Sequence, residues 1–306
     1  MTREVAGSRT DRQSVVTTGT FDGVHRGHQA IVRYLVARAR AVGGVPTVVT
    51  FDPHPREVLL GHPIPLLTTL DERASALERL GVERFVVVPF SRDLSLLEPE
   101  AYVADVLANG IGMREIVIGY DHRFGRKARG DRALLEALGD QLGFTVDVIP
   151  EQVDGDVTVS STEIRRLLAA GDPARAAELL GRPYSLSGTV VRGDQRGRTL
   201  GYPTANLRLA DARKLVPRLG VYAVRATGPQ GVQAGGMMNV GRRPTVEADG
   251  AVSLEVHLFD VDADLYGTRL DVDVIGWLRD ERRFDGVPAL VDQLHRDARA
   301  ARAVLA

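Results

Sequence analysis

Two histidines placed three residues apart are the first candidates for chemistry in this sequence. His25 and His28 belong to the stretch Gly19-Thr-Phe-Asp-Gly-Val-His-Arg-Gly-His28, which follows an apolar run and opens a helical pattern. At a helix start, residues three apart point to the same side, where free backbone N–H groups and the helix dipole favour an anion. The three glycines permit a turn tight enough for backbone to approach phosphates. We therefore expect a nucleotide-phosphate site; the alternative is that one histidine caps the helix and the other packs.

Two further polar stretches are expected at the same strand ends. Phe51-Asp52-Pro53-His54-Pro55 ends an apolar run, and its prolines fix the loop so that Asp52 and His54 stand at the rim. Ser160-Ser-Thr-Glu-Ile-Arg165 is typical of a capped helix start that offers hydroxyls at its N-terminus. Arg165 follows one turn along, where it could bind a leaving pyrophosphate. A rigid turn and a plain N-cap are the alternative interpretations of these two stretches.

A glycine-dense segment from Gly188 to Leu207 predicts two strands joined by a glycine-rich flap. Three of its glycines would let the flap close over phosphates: Gly193, Gly197 and Gly201. Thr204 and Asn206 alternate on one strand face, so their oxygens can serve one hard cation such as Mg²⁺. Glu255 lies mid-strand between apolar neighbours, where burial would make a carboxylate a better base. The residue pattern alone favours the alternative, an edge residue that faces water.

Composition excludes several kinds of site. The 306 residues contain no cysteine, which excludes a disulfide framework, thiolate metal sites and a cysteine nucleophile. Lys+Arg 39 and Asp+Glu 40 give a formal net charge of −1, so the whole chain has no electrostatic attraction to nucleic acid or anionic membrane. The only lysines, Lys127 and Lys214, each follow arginine, which excludes a phosphate loop of the form GxxxxGK[ST].

The elements that must position the histidine pair form an alternating series. Apolar runs over residues 15–18, 45–51, 85–88, 115–119 and 144–149 are separated by helical patterns. Such a series predicts a doubly wound α/β domain with a parallel, Rossmann-like sheet over residues 1–182, whose ligands lie beyond the carboxyl ends of the strands. Residues 1–11 are polar and nothing downstream approaches 18 consecutive apolar residues. We expect a short frayed N-terminus and a cytoplasmic protein.

The pattern changes after Gly181-Arg182-Pro183. Six short alternating runs with Gly and Pro turns follow, and no helical pattern separates them. This spacing predicts an antiparallel six-stranded β-barrel. Residues 288–304 then predict one amphipathic helix that ends the chain. The second domain is expected to cover residues 183–306.

The first half of the sequence resembles the nucleotidyltransferase superfamily marked by a His-x-Gly-His signature, and within it the FMN adenylyltransferase module of prokaryotic bifunctional riboflavin kinase/FAD synthetases. The resemblance rests on four stretches in the family's order: Gly19–His28, Phe51–Pro55, Ile118–Gly125 with Gly130-Asp131, and Ser160–Arg165. It implies that ATP phosphates are handled by His25, His28, Ser161, Thr162 and Arg165, with the histidines and the arginine catalytic. It also implies nucleotide binding by Gly19, Thr20, Phe21, Asp22 and Gly23, and flavin binding by Asp121, His122 and Phe124. Many members have phenylalanine where this chain has His122.

The second half resembles the riboflavin kinase barrel. The matching stretches are Gly201–Asn206, Gly220–Tyr222, Asn239–Thr245, Glu255–His257, Asp264–Gly267 and Trp277–Phe284. The resemblance implies that Thr204 and Asn206 bind Mg²⁺ and ATP phosphates and that Glu255 is the catalytic base. It further implies nucleotide binding by Gly193 and Gly201 and flavin binding by Asn239 and Arg279. Together the two resemblances cover roughly residues 15–303.

The implied reactions are phosphorylation of riboflavin by ATP to FMN, and transfer of AMP from a second ATP to give FAD and pyrophosphate. The expected partners are therefore small molecules rather than nucleic acid or membrane, and a homo-oligomer is left open. One alternative is a nucleotidyltransferase for another phosphorylated acceptor, because the His-x-Gly-His device is shared across acceptors. The other is a single-activity enzyme or flavin carrier in which one module is inactive.

Overall fold

The computed structural model describes residues 1–5, 13–119, 123–126, 129–149, 159–193, 197, 200–242 and 252–306. The chain folds into two compact units, residues 1–160 and residues 161–306.

Parallel strands form the sheet of the first unit. These strands are β1 (Thr2–Val5), β2 (Ser14–Thr18), β3 (Val45–Asp52), β4 (Arg84–Pro89), β5 (Met113–Gly119) and β6 (Thr145–Ile149). Their order in the sheet is β1-β4-β3-β2-β5-β6, and every neighbouring pair is parallel. β2 leads to β3 on one side, whereas β5 pairs with its other side. The direction of winding therefore reverses between β2 and β5, the position at which doubly wound sheets bind ligands.

Helices cover both faces of this sheet. They are α1 (Arg26–Val42), α2 (Pro55–Leu60), α3 (Leu70–Arg79), α4 (Arg92–Leu96), α5 (Pro99–Ala101), which continues as a π-helical segment (Tyr102–Ile111), and α6 (Arg132–Leu142). Val15 packs in one apolar cluster with Leu35 of α1, while its neighbour Val16 packs in another with Leu135 of α6. Because successive strand residues point to opposite faces, β2 is buried on both sides. The predicted doubly wound domain is confirmed.

An antiparallel barrel forms most of the second unit. The unit contains α7 (Ser161–Ala170), α8 (Pro173–Leu180), β7 (Tyr184–Val191), β8 (Ala205–Leu209), β9 (Gly220–Thr227), β10 (Gln233–Arg242), β11 (Val252–Leu258), β12 (Arg269–Arg279) and α9 (Val287–Leu305). The strands close in the order β10-β11-β8-β7-β12-β9. Helix α9 packs Leu294, Ala298 and Ala301 against Val221 and Met237 of the barrel. The six-stranded barrel and its terminal helix are confirmed.

Some elements differ from the expectation. The polar N-terminus, expected to be frayed, contains β1, which pairs with β4 and forms one edge of the sheet. Helices α2 and α4 were not expected, because six and five residues are too few to show a helical period. Helices α7 and α8 belong to the second unit, and the domain boundary near residue 182 stays a prediction. Among the described residues, no helix has both the length and the apolar character needed to span a bilayer.

Candidate active sites

The turn after β2 is tied to the neighbouring strand by backbone groups. The N–H of Gly19 donates to the carbonyl of Val49 at 3.0 Å, and the hydroxyl of Thr50 donates to the carbonyl of Thr20 at 3.1 Å. Phe21 and Val24 adopt φ angles of 46° and 43°. Positive φ is strained for residues with large or branched side chains. The turn is thus held in an unfavourable conformation where the winding of the sheet reverses, as is common at functional sites.

The side chain of Asp22 holds this turn in place. Its contacts with Leu67, Thr68 and Arg73 are called the Asp22 clamp. This side chain is completely buried and accepts the N–H groups of Leu67 and Thr68 at 3.0 and 2.9 Å. The buried Arg73 lies 3.5 Å from the same carboxylate and donates to the hydroxyl of Thr50 at 3.1 Å. The hydroxyl of Thr68 accepts the N–H of Gly23 at 2.9 Å. The structure gives Asp22 a structural role; its predicted role in nucleotide binding stays a prediction.

The two histidines stack at the start of α1. Their ring centroids lie 3.7 Å apart with planes inclined by 20°. His25 is the N-cap residue, and its Nδ1 accepts the N–H of His28 at 3.4 Å. An Nδ1 that accepts a hydrogen bond leaves the proton of a neutral imidazole on Nε2. The rings therefore occupy the helix start that the sequence predicts, and His25 also makes the cap that was its alternative.

The environment of His28 favours its neutral form. The residue as a whole is half-buried, but its Nδ1 is fully buried and makes no hydrogen bond within the described residues. Burial lowers the pKa of His28 well below its ordinary value, and the adjacent His25 and Arg73 lower it further. The ring of Phe21 lies against it, 5.0 Å between centroids. A neutral imidazole can still donate one hydrogen bond to a phosphate oxygen.

The remaining predicted residues of the adenylyltransferase half have different outcomes. Ser161 and Thr162 begin α7, with Thr162 exposed and Arg165 half-buried one turn later. Asp121 and His122 lie outside the described residues. Phe124 is half-buried against the ring of Tyr102, 6.2 Å between centroids, and joins an apolar cluster on the sheet. The roles predicted for these residues stay predictions.

A cavity of about 340 Å³ lies at the barrel and α9, and is called the first barrel cavity. It brings together polar side chains from four separate segments: Thr204, Asn239, Glu255, His257 and Arg279. Its apolar walls include Val221, Met237, Phe284 and Leu290. The sequence analysis predicted site roles for four of these five residues, all except His257. Apolar walls with a few converging polar groups are typical of a small-molecule site.

Strand pairing aligns three predicted site residues. Glu255 on β11 pairs with Asn239 on β10 and with Asn206 on β8. Directly opposite residues in adjacent strands point to the same face of a sheet. Glu255 is half-buried and Asn206 is buried. Glu255 therefore lies on a strand that is paired on both sides rather than at a sheet edge, and it lines the first barrel cavity together with Asn239.

Two glycines of the predicted flap, Gly193 and Gly197, lie against the two predicted cation ligands. A Cβ at Gly193 would overlap the side-chain amide of Asn206. A Cβ at Gly197 would overlap the carbonyl of Tyr202 and lie 3.4 Å from Oγ1 of Thr204. The close approach of the backbone at these two positions therefore requires glycine at both. Gly201, with φ of 79°, ends the flap just before Tyr202.

The oxygens of Thr204 and Asn206 fit a hard cation. Mg²⁺ prefers oxygen ligands and often keeps most of its coordination for water and substrate phosphates. Among the described residues, no group of three or more His, Cys, Asp or Glu side chains could hold a metal ion. Thr204 and Asn206 offer neutral oxygen donors of the kind that Mg²⁺ accepts, and their role as its ligands stays a prediction.

Arg279 is anchored by helix α9. Its Nε and Nη2 donate to the carboxylate of Asp297 at 2.9 and 2.7 Å, and its Nη1 donates to the carbonyl of Asp280 at 2.8 Å. Asp297 is buried and also accepts from Gln293 at 2.6 Å. A bidentate pair with a buried carboxylate fixes the guanidinium plane. Arg279 thus forms a rigid part of the cavity wall, and its flavin contact stays a prediction.

A second barrel cavity, of about 450 Å³, lies beside the first. Its walls combine aliphatic side chains and the exposed ring of Tyr266 with two acidic residues: Val190, Val256, Leu258, Asp262 and Asp264. Thr204 lines both cavities. The barrel therefore has two neighbouring cavities, and Thr204, a predicted ligand of the cation, lines both of them.

Sequence reasoning missed five polar residues of the first barrel cavity. These residues line it together with Glu255: Tyr202, His257, Glu281, Arg282 and Asp297. Tyr202 and His257 lie inside stretches that carried the riboflavin kinase resemblance, next to residues that received roles. The alternation of β11 could have identified His257, because residues two apart in a strand share a face. Glu281 also lies in such a stretch, Trp277–Phe284, two residues after Arg279.

Two family models match the chain. Residues 7–163 match the model for FAD synthetase, and residues 180–305 match the model for riboflavin kinase. The chain belongs to the bifunctional riboflavin kinase/FMN adenylyltransferase family. The FAD synthetase model covers nearly all of the first unit, and the riboflavin kinase model covers most of the second unit.

Relatives named bifunctional riboflavin kinase/FMN adenylyltransferase match almost end to end. One from Pseudomonas fluorescens is 41% identical over 96% of this chain and 94% of its own. One from Escherichia coli strain K12 is 39% identical over 94% of this chain and 91% of its own. One from Listeria monocytogenes is 38% identical over 97% of this chain and 94% of its own. Both modules of this family are therefore present in one chain here.

A crystal structure with the same fold comes from Streptococcus pneumoniae. That protein, described as a macrolide-efflux protein, is 34% identical and superposes with a TM-score of 0.84, covering 96% of this chain and 95% of its own. The superposition supports the two-part architecture. The efflux description belongs to that protein.

Proposed function

We propose that this chain phosphorylates riboflavin to FMN and then adenylylates FMN to FAD, using ATP in both reactions. The observation that carries the proposal is the row of Asn239, Glu255 and Asn206 across three paired strands, beside a cavity of a size suited to a small molecule. The family models and the relatives' names support the same two activities.

Glu255 is proposed as the base of the kinase reaction. A primary alcohol is a poor nucleophile while it keeps its proton, so the reaction needs an acceptor near the 5′-hydroxyl. The hydroxyl oxygen attacks the γ-phosphorus of ATP, the bond to the β-phosphate oxygen breaks, and ADP leaves. The proton passes to the Glu255 carboxylate. The half-buried position of Glu255 in the first barrel cavity supports this assignment.

The two barrel cavities suit the two substrates of this reaction. We assign riboflavin to the first, because its carboxylate adjoins broad apolar walls that can cover a flat ring system. We assign the adenine end of ATP to the second, because Tyr266 supplies an aromatic surface among aliphatic side chains. Thr204 lies between the two, where the phosphates would have to pass.

Mg²⁺ is proposed to bind with ATP at Thr204 and Asn206. When bound, the ion supplies neutralisation of the charge that develops on the transferred phosphoryl group. The flap glycines, Gly193 and Gly197, let backbone approach the same residues. This part of the chain therefore positions phosphates, while Glu255 handles the proton.

The adenylyltransferase reaction makes a different demand. The FMN phosphate is already ionised, so its oxygen attacks the α-phosphorus of ATP without losing a proton, and pyrophosphate leaves. The protein must align the groups and stabilise negative charge. The stacked His25 and His28 at the start of α1 support this role, with Ser161, Thr162 and Arg165 proposed for the phosphates that leave.

One experiment tests the proposal as a whole. Riboflavin is incubated with the full chain, ATP and Mg²⁺, and the flavins are separated by chromatography. FAD is the expected product. FMN alone would mean that the first module is inactive, and unchanged riboflavin would support a flavin carrier.

A further inference from the structure

His257 lies beside the proposed base and contacts the proposed ATP-binding segment. Residues 255 and 257 of β11 share one face of the strand, and both line the first barrel cavity. Nδ1 of His257 lies 2.8 Å from the carbonyl oxygen of Pro203. A carbonyl oxygen can only accept a hydrogen bond, so Nδ1 must carry the proton and donate. A direct bond therefore joins the strand of Glu255 to the residue before Thr204.

The imidazole is held in this orientation by its surroundings. Tyr202 and Phe259 contact it edge-on, with ring centroids 5.0 and 5.7 Å away. Burial lowers the pKa of His257, so the neutral ring is favoured at physiological pH. A neutral ring that donates from Nδ1 has one available tautomer. The donor therefore has a fixed position relative to β11.

The bond acts on the peptide that leads into Thr204. The carbonyl of Pro203 and the N–H of Thr204 belong to one planar unit, so a bond to the carbonyl fixes the plane from which Thr204 projects. The proline ring already restricts φ at residue 203. On the other side, the hydroxyl of Tyr202 lies 2.6 Å from Nδ1 of His295 on α9. The segment 202–204 is thus attached to two different elements.

We propose that His257 is a positioning residue for phosphoryl transfer, fixing Thr204 and the ATP it binds in register with Glu255. The inference rests on the proposed kinase function. The reacting groups must meet within a fraction of an ångström, and small displacements cost large factors in rate. The hydrogen bond from His257 on β11 to the Pro203 carbonyl fixes the position of Thr204 relative to Glu255 in this way.

Two substitutions distinguish the hydrogen bond that His257 donates from the space that its side chain fills. In His257→Asn, the side-chain NH₂ is bonded to Cγ, as Nδ1 is in histidine, and can donate to the Pro203 carbonyl. In His257→Gln, the NH₂ lies one bond further out and misses that position. We expect H257Q to raise the KM for ATP about tenfold and lower kcat, with H257N within about threefold of wild type. The exposed His62 of the first unit gives the matched control, H62Q, which should behave as wild type.

The measurements are initial rates of FMN formation with ATP or riboflavin varied, FAD formation from supplied FMN, and the melting temperature of each variant. The inference predicts a change in the KM for ATP, an unchanged KM for riboflavin and unchanged FAD formation. Wild-type kinetics in H257Q would overturn the inference alone. Parallel losses in both variants, with both KM values and the melting temperature affected alike, would reduce His257 to a structural role. Failure of the wild-type chain to make FMN would overturn the kinase proposal itself.

Discussion

At the scale of single residues, the two proposed reactions differ by one proton. An alcohol must lose its proton to attack phosphorus, whereas an ionised phosphate monoester has none to lose. Glu255 in the second unit can accept that proton. His25 and His28 in the first unit can donate hydrogen bonds to charged phosphates, and burial lowers the pKa of His28 so that its neutral form is favoured. Substitutions should therefore separate the two activities.

Replacement of Glu255 by glutamine should abolish flavin phosphorylation. The amide cannot accept the hydroxyl proton, so we expect FMN formation to fall by at least about 100-fold. FAD formation from supplied FMN should persist, because no proton is removed in that step. Both rates are measured by flavin chromatography. Glu281 lines the same cavity, and a larger loss in E281Q than in E255Q would transfer the role of base to Glu281.

Replacement of both His25 and His28 by alanine should have the opposite effect. FMN production should remain while FAD formation stops, with a loss of about 3 kcal/mol or more in transition-state stabilisation if each donor acts on a developing charge. The rate of pyrophosphate release from ATP and FMN is the measurement. A normal FAD yield from this double variant would contradict the assignment of the histidine pair.

At the scale of elements, the sequence shows which strands and turns exist, but not every contact that sets their shape. Glycine spacing located the turn after β2 and the flap before β8, because those conformations need specific residues. The clamp of Asp22 on Leu67 and Thr68 joins segments 45 and 46 residues apart. The pair of Arg279 with Asp297 joins β12 to α9. A sequence pattern is local, so neither contact could be predicted from it.

The clamp itself can be tested. Asp22→Asn leaves Arg73 buried beside an uncharged group, and breaking a buried ion pair costs about 3–5 kcal/mol of stability. We expect the first unit to unfold at lower denaturant concentration and FAD formation to fall, while FMN formation persists. Hydrogen exchange in residues 14–42 reports the unfolding of that unit. D140N, on the exposed surface of α6, is the control; equal exchange in D22N and D140N would contradict the clamp.

At the scale of the whole molecule, one chain contains two units whose proposed reactions follow each other. The first unit has the doubly wound sheet and the second the closed barrel, and each has its own hydrophobic clusters. The product of the barrel reaction is the substrate of the other. Because the proposed residues of the two reactions are distinct, each activity should survive loss of the other in the same chain.

This independence predicts complementation between two inactive chains. E255Q cannot make FMN, and the His25→Ala, His28→Ala chain cannot adenylylate it, so neither alone should convert riboflavin to FAD. In a mixture, the second chain would release FMN and the first would use it, so FAD should appear after a lag that shortens as the concentration of E255Q rises. Chromatography over time measures the lag. Accumulation of FMN without FAD, when E255Q alone adenylylates supplied FMN, would mean that the double-variant chain retains its FMN instead of releasing it.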